Sequence, residues 1–588
     1  MKLNLKIMLA EVRRCRGRLA LALLAVFLLA GSGMACRPDA AQAIIRHAGY
    51  LLAFAGSLLC LVYLIPIIRE GVSRRVVRQE WLFATLCIAG GGWLVFAHAD
   101  FAYKIAMDEY ILASTARNMH ESREVIATSR VEGFGGGSRA ADVFVDKRPW
   151  FYPFVVSVLH DVAGYRPYNP FVVNALVGLG ILALTYCVGY AFAGRKAGAL
   201  AVLLWASLPL LAQNATGAGM ELLNLFMVIA VLLLAIQYLR DPTSRREGAL
   251  SLTAVLLTYT RYESALFLLP VLLIILLGWW RARRILLSWG SLCGIVLLLG
   301  VVLQVRAYAA DEAAWELTHG ATSAFSLEHL IVNLPHTLNF FYNLDATLAN
   351  SLLLSSFGVI ALIAFPFLLR TEWRRYWTHL PVGAVSAVFL PFFLIQLSVV
   401  ISFHAGRLDS PFVSRYALLT HVAAILAILA LAEYVGARWK SCWSASLITA
   451  GLFVLAFTLP INAKEIFSRR NFAVREQQWF ESLGEDALRH SALVLDRFTL
   501  PWALRDVEAR HPAWAVANAP RMVKEVRVGK YPAIYFVERL HYTGEGFSPS
   551  QPHSEQMHEI FEMELLAERS FRPFSLTRIY QLNRQLPN

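Results

Sequence analysis

The sequence has few charged residues: 16% of its 588 residues are Asp, Glu, Lys or Arg, whereas a soluble protein has about 25%. Apolar residues make up 57% and stand in long blocks, which excludes an ordinary soluble domain and indicates a polytopic helical membrane protein. The seven cysteines include no C-x-x-C pair, so the sequence indicates neither a zinc site nor a disulfide framework.

Acidic residues are outnumbered, and the net charge is +13. A basic excess can indicate nucleic-acid binding, but here Lys and Arg fall in small clusters between apolar runs. That distribution is the topology signal of a membrane protein. The sequence therefore predicts membrane lipids as surroundings and no nucleic-acid partner.

Thirteen apolar segments are candidate transmembrane helices, since about 20 residues cross a bilayer. They lie near residues 19–35, 48–68, 81–99, 171–193, 197–213, 221–239, 248–260, 263–280, 285–303, 351–369, 379–403, 417–436 and 443–460. The first could instead be a signal peptide, because basic residues precede it and small residues end it. If all thirteen cross, the basic clusters share one side, which the positive-inside rule assigns to the cytoplasm.

This topology places the loops 100–170 and 304–350 and the tail 461–588 outside, in the periplasm of a bacterial inner membrane. In the tail, "SALVLDRF" and "YPAIYFVERL" predict strands and "EQQWFESLGEDALRH" an amphipathic helix. We therefore expect two N-terminal spans in 1–80, a membrane domain in 81–460 and a small α/β domain in the tail. The glycine-rich "VEGFGGGSRAAD" (131–142) is typical of a mobile loop.

Polar residues gather on the predicted outer face. "MDEY" contains Asp108 and Glu109, which are either helix caps or site residues. Neighbouring side chains on a helix point about 100° apart, so the two carboxylates have different roles. In "DVFVDKRPWFYPF", Asp146, Lys147 and Arg148 precede an aromatic segment, which could also be an interfacial belt with snorkelling charges.

Two later stretches also carry outward charges. In "LTYTRYESALFLLP", Arg261 and Glu263 lie at the membrane boundary, where they could simply pair with each other. In "HAGRLDSPFVSRYALL", a short loop contains several charges, and Arg415 and Tyr416 lead into the next span. His404 and Asp409 could bind a divalent cation. Two ligands are too few for a specific site, however, so we assign no metal.

One chemistry uses all these groups. If the substrate is a sugar joined to a long lipid through a phosphate, Arg and Lys would bind the phosphate at the interface. A carboxylate would take the proton from an acceptor hydroxyl. Bound cations would then stabilise the departing phosphate.

At these residues the chain resembles the GT-C glycosyltransferases, most closely the protein O-mannosyltransferase and aminoarabinose-transferase branch. The similar motifs are "MDEY", then "DKRPWFYPF" with Arg148 in place of a proline, and late in the chain "SRYALL". The resemblance implies an all-α GT-C membrane fold with periplasmic helices. It also implies that Asp108 is the base that activates the acceptor, and that Lys147 and Arg415 bind the donor phosphate. Arg261 matches more loosely, and Asp146 matches the acidic partner of the lysine.

The implied activity is inverting transfer of a single sugar from a polyprenyl-phosphate donor to a glycan, lipid or protein acceptor. An O-antigen-ligase-type or oligosaccharyltransferase-type enzyme, which moves a whole glycan, remains an alternative. A flippase of lipid-linked sugars would need charges near the bilayer midplane and two related halves, whereas the charges here lie at the outer boundary. The sugar, the acceptor and any metal requirement are left open.

Overall fold

The computed structural model describes residues 5–73, 78–97, 99–134, 137–308, 317, 323–345, 347–463, 472–484, 492–543, 546–550, 553–571 and 575–583. The chain forms two compact units. The first, the membrane unit, comprises Met1–Phe101, Lys147–Val155 and Phe171–Phe467. The second, the α/β unit, comprises Ala102–Asp146, Val156–Pro170 and Ser468–Asn588. Residues 102–146 and 156–170 thus belong with the tail, whereas the sequence predicts the loop 100–170 to be part of the membrane domain 81–460.

Helices dominate the chain before the tail. They are α1 Leu5–Ala35, α2 Pro38–Ser73, α3 Arg78–Phe96, α4 Ala106–Glu121, α5 Phe151–Ala163, α6 Asn169–Ala193, α7 Arg195–Ala206, α8 Pro209–Ala215, α9 Glu221–Arg240, α10 Ser244–Thr258, α11 Leu268–Ala282, α12 Trp289–Leu297, α13 Leu299–Tyr308, α14 Leu327–Tyr342, α15 Leu352–Thr378, α16 Pro381–Ile401, α17 Leu418–Gly436, α18 Cys442–Phe453 and α19 Leu459–Ala463. Short 3₁₀ turns, Tyr262–Phe267 and Ser414–Ala417, lead into α11 and α17.

Among the described residues, ten helical segments are long and apolar enough to cross a membrane. They are Cys15–Ala35, Pro38–Glu70, Asn169–Ala193, Glu221–Arg240, Tyr262–Ala282, Trp289–Tyr308, Leu352–Thr378, Pro381–Ile401, Ser414–Gly436 and Cys442–Ile461. The protein is therefore a multi-pass helical membrane protein, as its composition predicts.

The other three predicted spans are helical but shorter or bent. The segment predicted at 81–99 is the short apolar helix Glu80–Phe96. The segment predicted at 248–260 is α10, which has 15 residues and begins with charged ones. The segment predicted at 197–213 consists of α7 and α8, which are bent by 75°. Pro209 is the first residue of α8, and a proline cannot continue a helix from its preceding turn. Counting this pair as one span raises the total to eleven.

The bend places a buried loop, residues 216–220, in front of α9. Asn174 of α6 supports this loop, because its side-chain amide donates to the carbonyls of Gly217 at 2.8 Å and Gly219 at 2.9 Å. Buried backbone carbonyls need such partners. The loop therefore holds a defined conformation that positions the first residue of α9, Glu221.

The tail forms a mixed sheet. Its elements are α20 Phe472–Gly484, α21 Leu500–Ala503, α22 Pro512–Ala517, α23 Ala519–Val528 and α24 Ser554–Ile560, with strands β3 Leu493–Leu495, β4 Glu508–Arg510, β5 Ile534–Tyr542, β6 Phe547–Pro549, β7 Met563–Arg569 and β8 Ser575–Leu582. The strand order is β4-β3-β5-β8-β7, and β6 pairs with β5. The first three strands run parallel, and the other pairings are antiparallel. The two predicted strands and the predicted helix are confirmed, although the end of that helix, 485–490, lies outside the described residues.

Both faces of this sheet are covered. Leu493 and Leu495 pack into one apolar cluster with Phe536, while Val494 packs into another with Trp479. Successive side chains of a strand point to opposite faces, so the uninterrupted apolar run of β3 is explained by burial on both sides.

The glycine-rich segment is a β-hairpin, and its interpretation as a loop was wrong. Strands β1 Ala127–Phe134 and β2 Gly137–Phe144 pair antiparallel, with Val131 opposite Ala140. Residues 135 and 136, at the turn, lie outside the described residues. The alternation in "SRVEGF" was hidden by the glycines that follow it.

Within the α/β unit, α4 and the hairpin pack against the tail. Arg117 of α4 donates to the Asp506 carboxylate at 2.8 Å, and Thr499 donates to the Ser129 carbonyl at 2.5 Å. Asp506 has a positive φ of 59°, a conformation that costs free energy in a residue other than glycine. The ion pair with Arg117 helps to hold it there.

Candidate functional site

Two of the predicted phosphate-binding residues, Arg261 and Arg415, come together in the membrane unit. Arg261 follows α10 in extended conformation, and Arg415 lies in the 3₁₀ turn before α17. Both contact Glu221: Arg261 Nη1 lies 2.6 Å and Arg415 Nε 3.2 Å from the same oxygen, Oε1. The structure thus brings Arg261 and Arg415 together on one carboxylate, while their role in binding phosphate stays a prediction.

Tyr416 connects the two guanidinium groups. Its ring centroid lies 4.4 Å from Arg261 Cζ and 5.1 Å from Arg415 Cζ, and Arg415 also donates to its hydroxyl oxygen at 3.3 Å. Cations bind favourably to the face of an aromatic ring. The ring therefore fixes the orientation of both guanidinium groups from one side.

Glu221 was missed by the sequence reasoning. It is the first residue of α9 and only 4% exposed, and Arg261 and Arg415 are 7% and 6% exposed. Arg261 also pairs with Glu263 at 2.5 Å, so the pairing within the turn is present as well. A carboxylate that opens an apolar span is a boundary charge that needs a partner, and that signal could have identified it.

The segment carrying Lys147 and Arg148 lies beside Arg261. The carbonyl of Lys147 accepts hydrogen bonds from the Tyr262 hydroxyl and from the Gln304 side-chain amide. Four residues later, the Phe151 N–H donates to the carbonyl of Tyr259 at 3.2 Å. Lys147 and Arg148 are half-buried. The membrane unit thus brings the backbone of this predicted cationic segment to the segment that carries Arg261.

The acidic pair belongs to the α/β unit, in the first turn of α4. The Glu109 carboxylate accepts the backbone N–H groups of Lys104 and, at 2.9 Å, Ile105. Glu109 is 1% exposed, so the capping interpretation applies to it. Asp108 and Asp146 are half-buried. Lys104, also 1% exposed, is a buried cation next to this motif that the sequence reasoning did not single out.

His404 and Asp409 have different partners. Asp409 contacts His336 Nδ1 of α14 at 2.7 Å, and the His404 ring packs on Phe403 with centroids 4.2 Å apart. Among the described residues, no group of three or more His, Cys, Asp or Glu side chains could hold a metal ion.

A second polar cluster lies in the α/β unit, outside the predicted residues. The Asp161 carboxylate contacts His120 Nδ1 and Arg123 Nη1, both at 2.6 Å. Burial raises the pKa of Asp161, but these hydrogen bonds outweigh it and lower the pKa overall. Burial lowers the pKa of the neighbouring His160 to about 4, so that imidazole is neutral near pH 7. Its Nδ1 accepts a hydrogen bond from the Asn169 side-chain amide at 2.8 Å.

The fold is of the GT-C type. ArnT from Cupriavidus metallidurans bound to undecaprenyl phosphate matches over 86% of this chain and 98% of its own, with a TM-score of 0.51 and 14% sequence identity. AglB, the oligosaccharyltransferase from Archaeoglobus fulgidus in complex with an inhibitory peptide and a dolichol-phosphate, matches over 81% of this chain and 75% of its own (TM-score 0.44, 10% identity). No protein-family model matches the sequence, and no curated protein matches it. The expected GT-C fold is confirmed.

Proposed function

We propose that this protein is an inverting glycosyltransferase that moves a single sugar from a polyprenyl-phosphate donor to an acceptor hydroxyl. The observation that carries the proposal is the buried pair Arg261 and Arg415, which two distant segments bring to one point. Two guanidinium groups in a poorly solvated place suit an anion with several oxygens. The fold shared with ArnT, a protein solved with undecaprenyl phosphate, supports this choice of anion.

In the proposed reaction, Asp108 takes the proton of the acceptor hydroxyl. The acceptor oxygen then bonds to the anomeric carbon from the side opposite the phosphate, which inverts the configuration. The bond from the anomeric carbon to the phosphate oxygen breaks, and its electron pair stays on the phosphate. Lys147, Arg148, Arg261 and Arg415 stabilise the charge that develops there, as preorganised cations do away from bulk water.

The test is release of the lipid phosphate. Purified protein is incubated with a panel of polyprenyl-phosphate sugars, and polyprenyl phosphate and transferred sugar are quantified. We expect release with one sugar of the panel, and an about 10²–10⁴-fold lower rate for Asp108→Asn, the range for loss of a general base. Turnover only with a lipid-linked oligosaccharide would favour the whole-glycan alternative. Movement of the donor across a vesicle membrane without phosphate release would favour a flippase.

The proposal also places the reaction on the periplasmic side of a bacterial inner membrane, because the basic clusters then share the cytoplasmic side. Single cysteines are introduced at Ala141 and Val528 in a chain without its native cysteines. Both residues are exposed. We expect a membrane-impermeant thiol reagent to label both in intact cells. Trp439→Cys, on the predicted cytoplasmic side and 71% exposed, should react only after lysis, and the reverse pattern would contradict the orientation.

A further inference from the structure

The arginine pair already has an anion. Glu221 Oε1 contacts both guanidinium groups, and all three side chains are at most 8% exposed. Attraction between such charges is much stronger than in water, since little solvent screens it. A donor phosphate that uses these arginines must therefore compete with a carboxylate of the protein itself.

The pairing of Glu221 is incomplete. Its second oxygen, Oε2, is buried and has no hydrogen-bond partner in the described part of the chain. A buried polar atom without a partner is unfavourable, and a buried ion pair is stable only when its remaining hydrogen-bonding positions are satisfied. In the triad of Glu221, Arg261 and Arg415, an anion that matches the guanidinium groups better could therefore replace the Glu221 carboxylate with a gain in free energy.

Glu221 also has favourable surroundings apart from the arginines. It is the first residue of α9, a helix of 20 residues without a side-chain cap. The first turn of a helix presents free N–H groups and the positive end of the helix dipole. A carboxylate displaced from the guanidinium groups would remain in a favourable electrostatic field.

We propose that Glu221 is the resting counter-anion of Arg261 and Arg415, which the donor phosphate displaces and which returns when the lipid phosphate leaves. The inference rests on the proposed phosphate-binding role of the two arginines. Glu221 then sets how tightly the lipid phosphate is held. It acts as a positioning residue, because it works through the arginines and not on the reacting atoms.

The consequence is a split between affinity and turnover. Without the carboxylate, the two arginines bind the lipid phosphate more tightly, so the KM for the donor falls. Release of the lipid phosphate slows, so kcat falls as well. A carboxylate that only supported the fold would instead raise KM or leave it unchanged when replaced, because misplaced arginines bind phosphate less well.

The experiment measures binding of undecaprenyl phosphate to the purified full-length protein, with undecaprenol, which lacks the phosphate, as the second ligand. We expect Glu221→Gln to bind undecaprenyl phosphate about tenfold more tightly, with unchanged undecaprenol binding. Glu263→Gln is the matched control, since Glu263 pairs with Arg261 and its replacement leaves Glu221 in contact with both arginines. It should tighten binding by less than Glu221→Gln does.

Unchanged or weaker binding of the phosphate by Glu221→Gln would overturn the inference. If Glu221→Gln does not fold, Glu221→Asp gives the answer, because it keeps the charge but draws it back from the guanidinium groups. Its affinity should exceed that of the wild type, and an equal or lower affinity would overturn the inference. A wild-type protein that does not bind undecaprenyl phosphate would contradict the proposed function itself.

Discussion

Glu109 and Glu221 are both buried glutamates in the first turn of a helix, but the two regions use them differently. In α4, Glu109 accepts hydrogen bonds from the backbone N–H groups of Lys104 and Ile105, five and four residues earlier in the chain. In α9, Glu221 contacts Arg261 and Arg415, from two remote segments. The same residue type in the first turn of a helix is thus a local cap in one region and the centre of a charge cluster in the other.

The difference follows from what surrounds each carboxylate. The residues before α4 fold back so that their free N–H groups point at Glu109, which satisfies the helix start without any long-range partner. The residues before α9 form a buried loop held by Asn174, and the carboxylate faces two arginines instead. A local partner stabilises a fold, whereas remote charged partners create a site whose chemistry depends on the whole unit.

The largest effect is expected for the charge cluster. Arg415→Lys should lower turnover about 10²-fold, because a lysine cannot present the planar, two-pronged donor geometry of an arginine. Turnover is measured as release of the lipid phosphate. Arg407→Ala is the control in the same loop. Arg407 is exposed, and its Nε lies 3.9 Å from Asp409 Oδ1, so its replacement should lower turnover less than Arg415→Lys does. Equal losses of turnover in the two variants would contradict a particular role for the cluster of Glu221, Arg261 and Arg415.

Replacing Glu109, which caps the start of α4, should have a smaller effect, confined to stability. Glu109→Ala leaves two backbone N–H groups without their acceptor and should lower the free energy of unfolding by about 1–2 kcal/mol. Thermal unfolding of the purified protein measures it, with turnover of the folded fraction unchanged. Glu328→Ala is the matched control: Glu328 is exposed in the first turn of α14, where Ser326 already caps the helix. Lost turnover at wild-type stability would instead make Glu109 the base.

Much of the candidate site could be predicted because charges at a membrane boundary are costly and conspicuous. Arg261 and Arg415 stand out against apolar neighbours for that reason. Glu221 does not stand out in the sequence, because the helix dipole already explains a glutamate at the first position of a helix. The hairpin β1–β2 was hidden by its glycines, and the bend between α7 and α8 by an apolar composition that continues across Pro209.

The sequence by itself determined the class of the protein, the approximate positions of most spans, two strands and a helix of the tail, and the arginines at the boundary. These features depend on hydrophobicity, periodicity and local charge, which are properties of neighbouring residues. Only the tertiary structure decided that residues 102–146 join the tail in one unit and that Glu221 lies between Arg261 and Arg415. Such pairings depend on how remote segments pack, because a buried charge takes its partner from whichever segment packs against it.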